Sequence, residues 1–210
     1  MITEENKVIL KGYIQNIGYS HTINDVEYNK AQLIVKKGNG REDIINLMFK
    51  KFSNPYNEGD YVELMGNLRS FSKRLPDGKN SVTLYVFTYF DKPTIEDADE
   101  NIVNQIFLNS RICKIEELNK TKTGKSNIHF ILANSIKTNN GKLNSYIPSV
   151  AWGKTALEFA KKSVNNDIIA IGQLHSREYK KVLPDGDFEL KIAHEFLVTD
   201  FIPVECSDEI

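Results

Sequence analysis

The chain states one pattern twice. Asn6-Lys7-Val8-Ile9-Leu10-Lys11-Gly12-Tyr13-Ile14 returns as Asn104-Gln105-Ile106-Phe107-Leu108-Asn109-Ser110-Arg111-Ile112, with the asparagine and the alternating apolar positions in step. Further along, Gly66-Asn67-Leu68-Arg69-Ser70 leads to Leu75-Pro76-Asp77-Gly78, as Gly172-Gln173-Leu174-His175-Ser176 leads to Leu183-Pro184-Asp185-Gly186. Four landmarks in one order, about a hundred residues apart, describe a duplicated domain. That period is one whole domain, well above the roughly 20 to 50 residues of solenoids and propellers.

The 210 residues therefore divide into two small domains, each just able to bury a core of its own. The boundaries read as domain 1 over 1–93, an acidic linker over 94–103, domain 2 over 104–203 and a short acidic tail over 204–210. No apolar run approaches the ~20 residues of a membrane span. Met1 to Lys7 is polar rather than a signal sequence, so a cytoplasmic location is expected. Cys113 and Cys206 stand apart from any histidine cluster, so neither a disulfide framework, a metal site nor a cofactor is expected. The net charge of −1 hides a partition that matters for partners. Residues 1–93 carry 13 Lys and Arg against 11 Asp and Glu, and 104–203 carry 14 against 10. The acids Glu96, Asp97, Asp99 and Glu100 lie between the repeats, and Glu205, Asp208 and Glu209 close the chain. Both repeats are mildly basic, and a polyanionic ligand stays open.

Alternation at period two marks the strands. Val8, Leu10 and Ile14 define the first, followed by Ala31, Leu33 and Val35, by Ile45, Leu47 and Phe49, then by 61–68 and 82–90. The second repeat gives the same five over 106–115, 128–133, 146–152, 168–174 and 188–196. Asn39-Gly40, Asn140-Gly141 and the two Pro-Asp-Gly sequences supply turns between them. One helix fits each repeat, after its third strand. In the second, Ala156, Phe159 and Ala160 of 155–162 share a face, with lysines near the C-terminal end. In the first, Asn54-Pro55 leaves at most a short one within 50–60. Five strands with a helix after the third is the layout of the OB-fold, a Greek-key barrel whose face around strands two and three binds oligonucleotides or oligosaccharides. The expected fold is thus all-β with a minor helix, as two tandem five-stranded OB-fold barrels.

The second repeat resembles a known family. Val150-Ala151-Trp152-Gly153-Lys154-Thr155-Ala156, a helix, a strand closing on Gly172-Gln173-Leu174, then His175-Ser176-Arg177-Glu178-Tyr179 follow in the order and spacing of the bacterial single-stranded DNA-binding proteins. The opening Asn104-x-Ile106-x-Leu108 and Arg111 beside Ile112 are similar to that family's first strand. The first repeat looks like a diverged copy that keeps Asn6, Leu10, Gly12, Phe49 at the aromatic position and Gly66-x-Leu68. The resemblance implies binding and protection of single-stranded DNA in replication, recombination or repair, by a non-enzymatic protein. Some members carry two OB-folds and dimerise, which implies a homodimer presenting four. The ending from Ile202 to Ile210 lacks the family's acidic Pro-Phe type terminus, so recruitment of other proteins through a tail is not expected.

Binding a single strand without reading its sequence needs flat rings for the bases and cations for the phosphates. By motif, the resemblance implies Tyr146, Trp152 and Tyr179 as stacking residues and Arg111, Lys154 and Arg177 as groove cations, with Lys180 and Lys181 extending the path. In the first repeat Phe49 is the matched aromatic and Phe71 a substitute, with Lys50, Lys51, Arg69, Lys73 and Arg74 contributing charge. Three aromatics and three cations in the second set make 104–203 the expected principal site. Each residue also has a structural reading: Trp152 and the phenylalanines as core, the tyrosines as ordinary sheet surface, individual lysines as solvated charge. Tyr85, Phe87 and Tyr89 alternate on one side of the fifth strand and read as core, subunit interface or a secondary platform, the first two being preferred. Gly66 and Gly172 read as concessions to barrel curvature. His21, His129, His175 and His194 show no metal spacing, and Thr123-Gly124-Lys125-Ser126 lacks the first glycine of a phosphate loop and reads as a β-turn. The competing reading is an OB-fold interaction or replication-restart module in which one repeat serves dimerisation or partner docking.

Overall fold

The computed structural model describes residues 6–51, 56–75, 78, 80–95, 102–138, 141–182 and 186–204. The acidic cluster at 96–100, the tips at 76–77 and 184–185, Asn140, and the acidic end from Glu205, with Cys206, lie outside them.

The first repeat forms β1 (Asn6–Ile23), β2 (Val26–Lys36), β3 (Glu42–Lys50), β4 (Tyr61–Arg74) and β5 (Asn80–Ile95). β1 pairs with β2 and β4, β2 with β3, β3 in parallel with β5, and β5 with β4. Every strand thereby has two neighbours. The second repeat forms β6 (Asn104–Ile115), the two-residue β7 (Asn119–Lys120), β8 (Ser126–Thr138), β9 (Gly141–Trp152), α1 (Gly153–Phe159), β10 (Asp167–Val182) and β11 (Phe188–Pro203). Its ring runs β6-β8-β9-β11-β10 and back to β6, β9 and β11 being the parallel pair. Two tandem OB-fold barrels result.

Alternation fills each barrel. Val8, Leu10 and Ile14 of β1 meet Leu33, Ile45, Leu47, Leu68, Leu84 and Val86 with almost no exposed surface, and Ile106, Leu108 and Ile112 meet Phe130, Leu132, Ile147, Leu174 and Phe196 in the same way. Burying each such side chain contributes about 1.5 to 3 kcal/mol. The glycines of the two Gly-x-Leu sequences lie against the neighbouring strand. A Cβ on Gly66 would come within 2.5 Å of the Phe87 carbonyl oxygen, and one on Gly172 would come closer still to that of Leu197. These glycines therefore let the fourth and fifth strands of each barrel approach.

Three elements differ from the sequence expectation. β5 continues through Thr94 and Ile95, opposite Glu63 and Val62, into the segment read as linker. The helix stops at Phe159, leaving Ala160 exposed and the two lysines in the turn that follows. That turn is tied down by Ile112 N–H donating to the Asn166 carbonyl (2.9 Å) and Asn165 N–H to the Ile112 carbonyl (2.8 Å). Ile14 makes the same two bonds with Asp60 and Gly59 (2.9 and 2.8 Å), although residues 52–55 before them are outside the description. Within the first repeat's expected helix, residues 56–60 form a turn, and Tyr56 joins the core as Phe159 does in the second.

A pseudo-twofold relation joins the barrels. β1 and β6 pair antiparallel with Val8 opposite Ile106, Asn6 opposite Leu108 and Leu10 opposite Asn104, so each residue faces the counterpart of its own mirror position. Both rings thus belong to one sheet. The repeated asparagines face inward and clamp the repeated leucines. Asn6 exchanges side-chain bonds with the Leu68 backbone (2.7 and 2.8 Å), and Asn104 with that of Leu174 (2.9 and 2.9 Å). Beyond those leucines each hairpin crosses to the other barrel. Tyr146 N–H donates to Ser70 Oγ at 2.8 Å and Ile44 N–H to Ser176 Oγ at 2.8 Å, equivalent bonds on the two sides of the dyad.

Candidate nucleic-acid interface

Once inward positions are fixed, the exterior follows by parity. In the first barrel Leu84 and Val86 of β5 point in, so Tyr85, Phe87 and Tyr89 point out. This removes the preferred core reading of these three. Register brings other outward positions beside them: Met48 of β3 is level with Phe87, Tyr28 of β2 opposes Lys50, and Asn67 and Arg69 of β4 oppose Phe87 and Tyr85. The rings form a connected surface. Arg69 Cζ lies 4.2 Å from the Phe87 ring centroid, Tyr28 is tilted against Phe87 at 6.2 Å, and His21 stacks on Tyr28 at 5.0 Å.

Arg69 is the charge at the centre of this face. Its guanidinium donates a hydrogen bond to Tyr85, while its Nε is buried without an acceptor. No carboxylate among the described residues pairs with it. Burial pulls its pKa down, an effect the nearby phenols oppose, yet an arginine keeps its proton under such conditions. Burial also raises the phenols of Tyr85 and Tyr89, so both remain neutral hydroxyls. About half of Tyr89 is exposed.

The corresponding face of the second barrel is different. By register, Glu195, Leu197 and His175 occupy the places of Tyr85, Phe87 and Arg69. A cavity of about 210 Å³ opens there, with Glu116, His129, Pro148 and Glu195 in its lining. A hydrogen bond from Lys114 holds the Glu116 carboxyl below its ordinary value, so it stays anionic. Trp152 stands at the end of β9, half-buried, with Lys125 Nζ 5.4 Å from its ring centroid. Lys125 comes from the Thr123–Ser126 sequence; the β-turn there spans Thr121–Gly124, closed by Gly124 N–H donating to the Thr121 carbonyl at 2.9 Å, and Ser126 begins β8.

The other expected residues are scattered. Phe49 is fully buried in the first core, which corrects its reading as a stacking residue. The third and fifth strands align Phe49 with Ala151, and Trp152 with Lys50; a one-residue offset exchanges the two faces. Tyr146 and Phe71 are exposed at 50% and 61%, on strands joined by the Ser70 bond. On the β10 arm Arg177, Tyr179 and Lys181 share one face; Lys180 lies on the other, over Phe188 at 4.4 Å, so the two lysines form no single path. Arg69, Phe71 and Lys73 likewise share a face that excludes Arg74. Arg111 grips Asp167 with two bonds of 2.8 Å, which lowers the aspartate's pKa and leaves the fork already engaged. Lys51 pairs with Glu27, and the highly exposed Lys154 stands 3.6 Å from Glu158. Tyr28 is the interface candidate the sequence reading missed, and Tyr85, Phe87 and Tyr89 are those it read as core or subunit interface ahead of a secondary platform. A phenolic hydroxyl needs water or a partner, and that preference is the signal for an outward tyrosine.

No protein-family model matches the chain, and no curated protein is significantly similar to it. Solved structures do resemble it. The wild-type single-stranded DNA-binding protein from Thermus aquaticus superposes with a TM-score of 0.69 over 98% of this chain and 96% of that one, at 15% identity. A deletion mutant of the same protein gives 0.70 over 98% of both chains, at 13% identity. At such identities the likeness establishes the tandem OB-fold architecture.

Proposed function

We propose that the chain is a non-enzymatic single-stranded DNA-binding protein that holds exposed strands by base stacking and phosphate contact. The observation that carries this reading is the set of outward aromatics interleaved with cations on barrels whose cores are filled without them: Tyr28, Phe87, Tyr85 and Tyr89 around Arg69, and Trp152 beneath Lys125. Rings give sequence-tolerant stacking, and arginine and lysine meet the phosphates. The likeness to a protein that binds single-stranded DNA supports it. Protection of strands in replication, recombination or repair, and a homodimer presenting four barrels, belong to the same proposal. A labelled, unstructured oligonucleotide titrated with the protein at low salt tests it: a saturable gel shift that weakens with salt is expected, and no shift at micromolar protein would refute it.

One observation favours a second role for part of the molecule. The acid-lined cavity on the second barrel suits a cationic or neutral protein surface better than a phosphodiester chain. Under that reading the second barrel docks a partner while the first keeps the strand.

A further inference from the structure

We infer that the outward face of the first barrel, centred on Arg69 and Phe87, is the principal platform for a single strand, and that the matching face of the second barrel carries little of it. This rests on the proposed single-strand binding and assigns that binding to one barrel. It reverses the ranking drawn from the sequence.

Arg69 supplies the first argument. A guanidinium packed 4.2 Å from a ring, partly out of water, with its Nε unsatisfied and no carboxylate among the described residues paired with it, carries a desolvation cost in the free protein that no counter-charge offsets. A ligand anion would supply the missing counter-charge, and a phosphodiester presents oxygens that suit a guanidinium. The rings supply the second. Tyr28 of β2 and Phe87 and Tyr89 of β5 share one face with the cation, on strands that flank β3, so bases stacked on them would bring their own phosphates to Arg69. The third comes from the second barrel, where the same register positions hold Glu195, Leu197 and His175, and Glu116 adds a second carboxylate to the cavity. Glu195 repels a phosphate chain, Glu116 being paired with Lys114, and none of these side chains offers a ring as broad as the Phe87 and Tyr85 pair. Trp152 and Tyr146 then act at the margin, Tyr146 lying beside Ser70 of the first barrel's own arm.

The test uses the full chain, a fluorescein-labelled oligo(dT), and the variants Arg69→Met, Tyr89→Ala and Trp152→Ala. Arg69→Met should weaken binding by about 10- to 100-fold, the range of one stacked or charge-paired nucleotide contact, without lowering the melting temperature of the free protein. Tyr89→Ala should weaken it by about 5-fold or more, and Trp152→Ala by less than Arg69→Met. Tyr89 is on the surface, so its variant decides the matter should Arg69→Met fail to fold. Folded first-barrel variants that bind within about two-fold of wild type, beside a Trp152→Ala protein that has lost binding, would overturn the inference and put the principal site on the second barrel. A wild-type protein that fails to bind oligo(dT) at all would instead remove the single-strand reading itself.

Discussion

Replacing Asn104 by alanine tests how the two barrels are held to their arms. The Asn104 amide donates to the Leu174 carbonyl and accepts from the Leu174 N–H, both at 2.9 Å, in a place where Asn104 and Leu174 are both buried. Alanine leaves one backbone donor and one acceptor without partners, and each such group costs about 1 to 3 kcal/mol. The expected loss is therefore about 2 to 6 kcal/mol, a large part of the roughly 5 to 15 kcal/mol that stabilises a typical fold. At about 2 to 4 °C per kcal/mol for a chain of this length, that corresponds to a fall of about 4 to 24 °C in melting temperature. Thermal unfolding followed by circular dichroism measures it, and hydrogen exchange at Leu174 locates it. Asn104→Asp should be as damaging at neutral pH, because a carboxylate accepts from the N–H but faces the carbonyl with charge. If Asn104→Ala melts within about 1 °C of wild type and the Leu174 amide remains protected, the clamp contributes nothing and the reasoning is wrong.

Three further outcomes are expected. Oligo(dT) should quench the fluorescence of Trp152, the chain's single tryptophan, and Trp152→Ala should weaken binding by about 1 kcal/mol, the low end for one stacked base; an unquenched signal at saturation would take Trp152 off the path. Light scattering across a dilution series should give the mass of a homodimer, and a monomer of 24.0 kDa that still binds DNA would exclude the four-barrel assembly. His194, whose ring bonds the Ile44 carbonyl at 2.7 Å, is held below the ordinary imidazole pKa chiefly by burial, so the unfolded chain takes up the proton first. Stability should then fall as pH drops below the ordinary histidine value, and His194→Gln should melt with a shallower pH dependence between about 7 and 5; identical slopes would assign the effect elsewhere.

The barrels themselves were legible because their signal is local. Strand alternation, the repeated asparagine and the Gly-x-Leu sequences together set the number, order and inward parity of the strands. The site was less legible where two faces of a strand look alike. β5 reads Leu84-Tyr85-Val86-Phe87, apolar on both sides, and only closure of a narrow barrel decides that the aliphatics go in and the larger rings stay out. Phe49 failed for a related reason: an aromatic at the end of a strand matches Trp152 by type, whereas register matches it to Ala151. The engagement of Arg111 by Asp167 joins residues far apart in the chain, so no sequence spacing announces it. The outer lengths of β4 and β10 are mostly polar, from Arg69 to Arg74 and from His175 to Lys181, and leave no hydrophobic period of their own to read.

The antiparallel seam between β1 and β6 has a consequence for divergence. In two copies of one single-barrel chain meeting across such a seam, any residue gained on one face would be gained on both. Covalent linkage makes the seam intramolecular, so its halves stay together at any dilution and each can accumulate its own substitutions. Such linkage permits an aromatic face on one barrel and a hollow flanked by Glu116 and Glu195 on the other. A pair of such chains would accordingly offer two strand-holding faces and two of another character, and the length of DNA it covers would follow from the former.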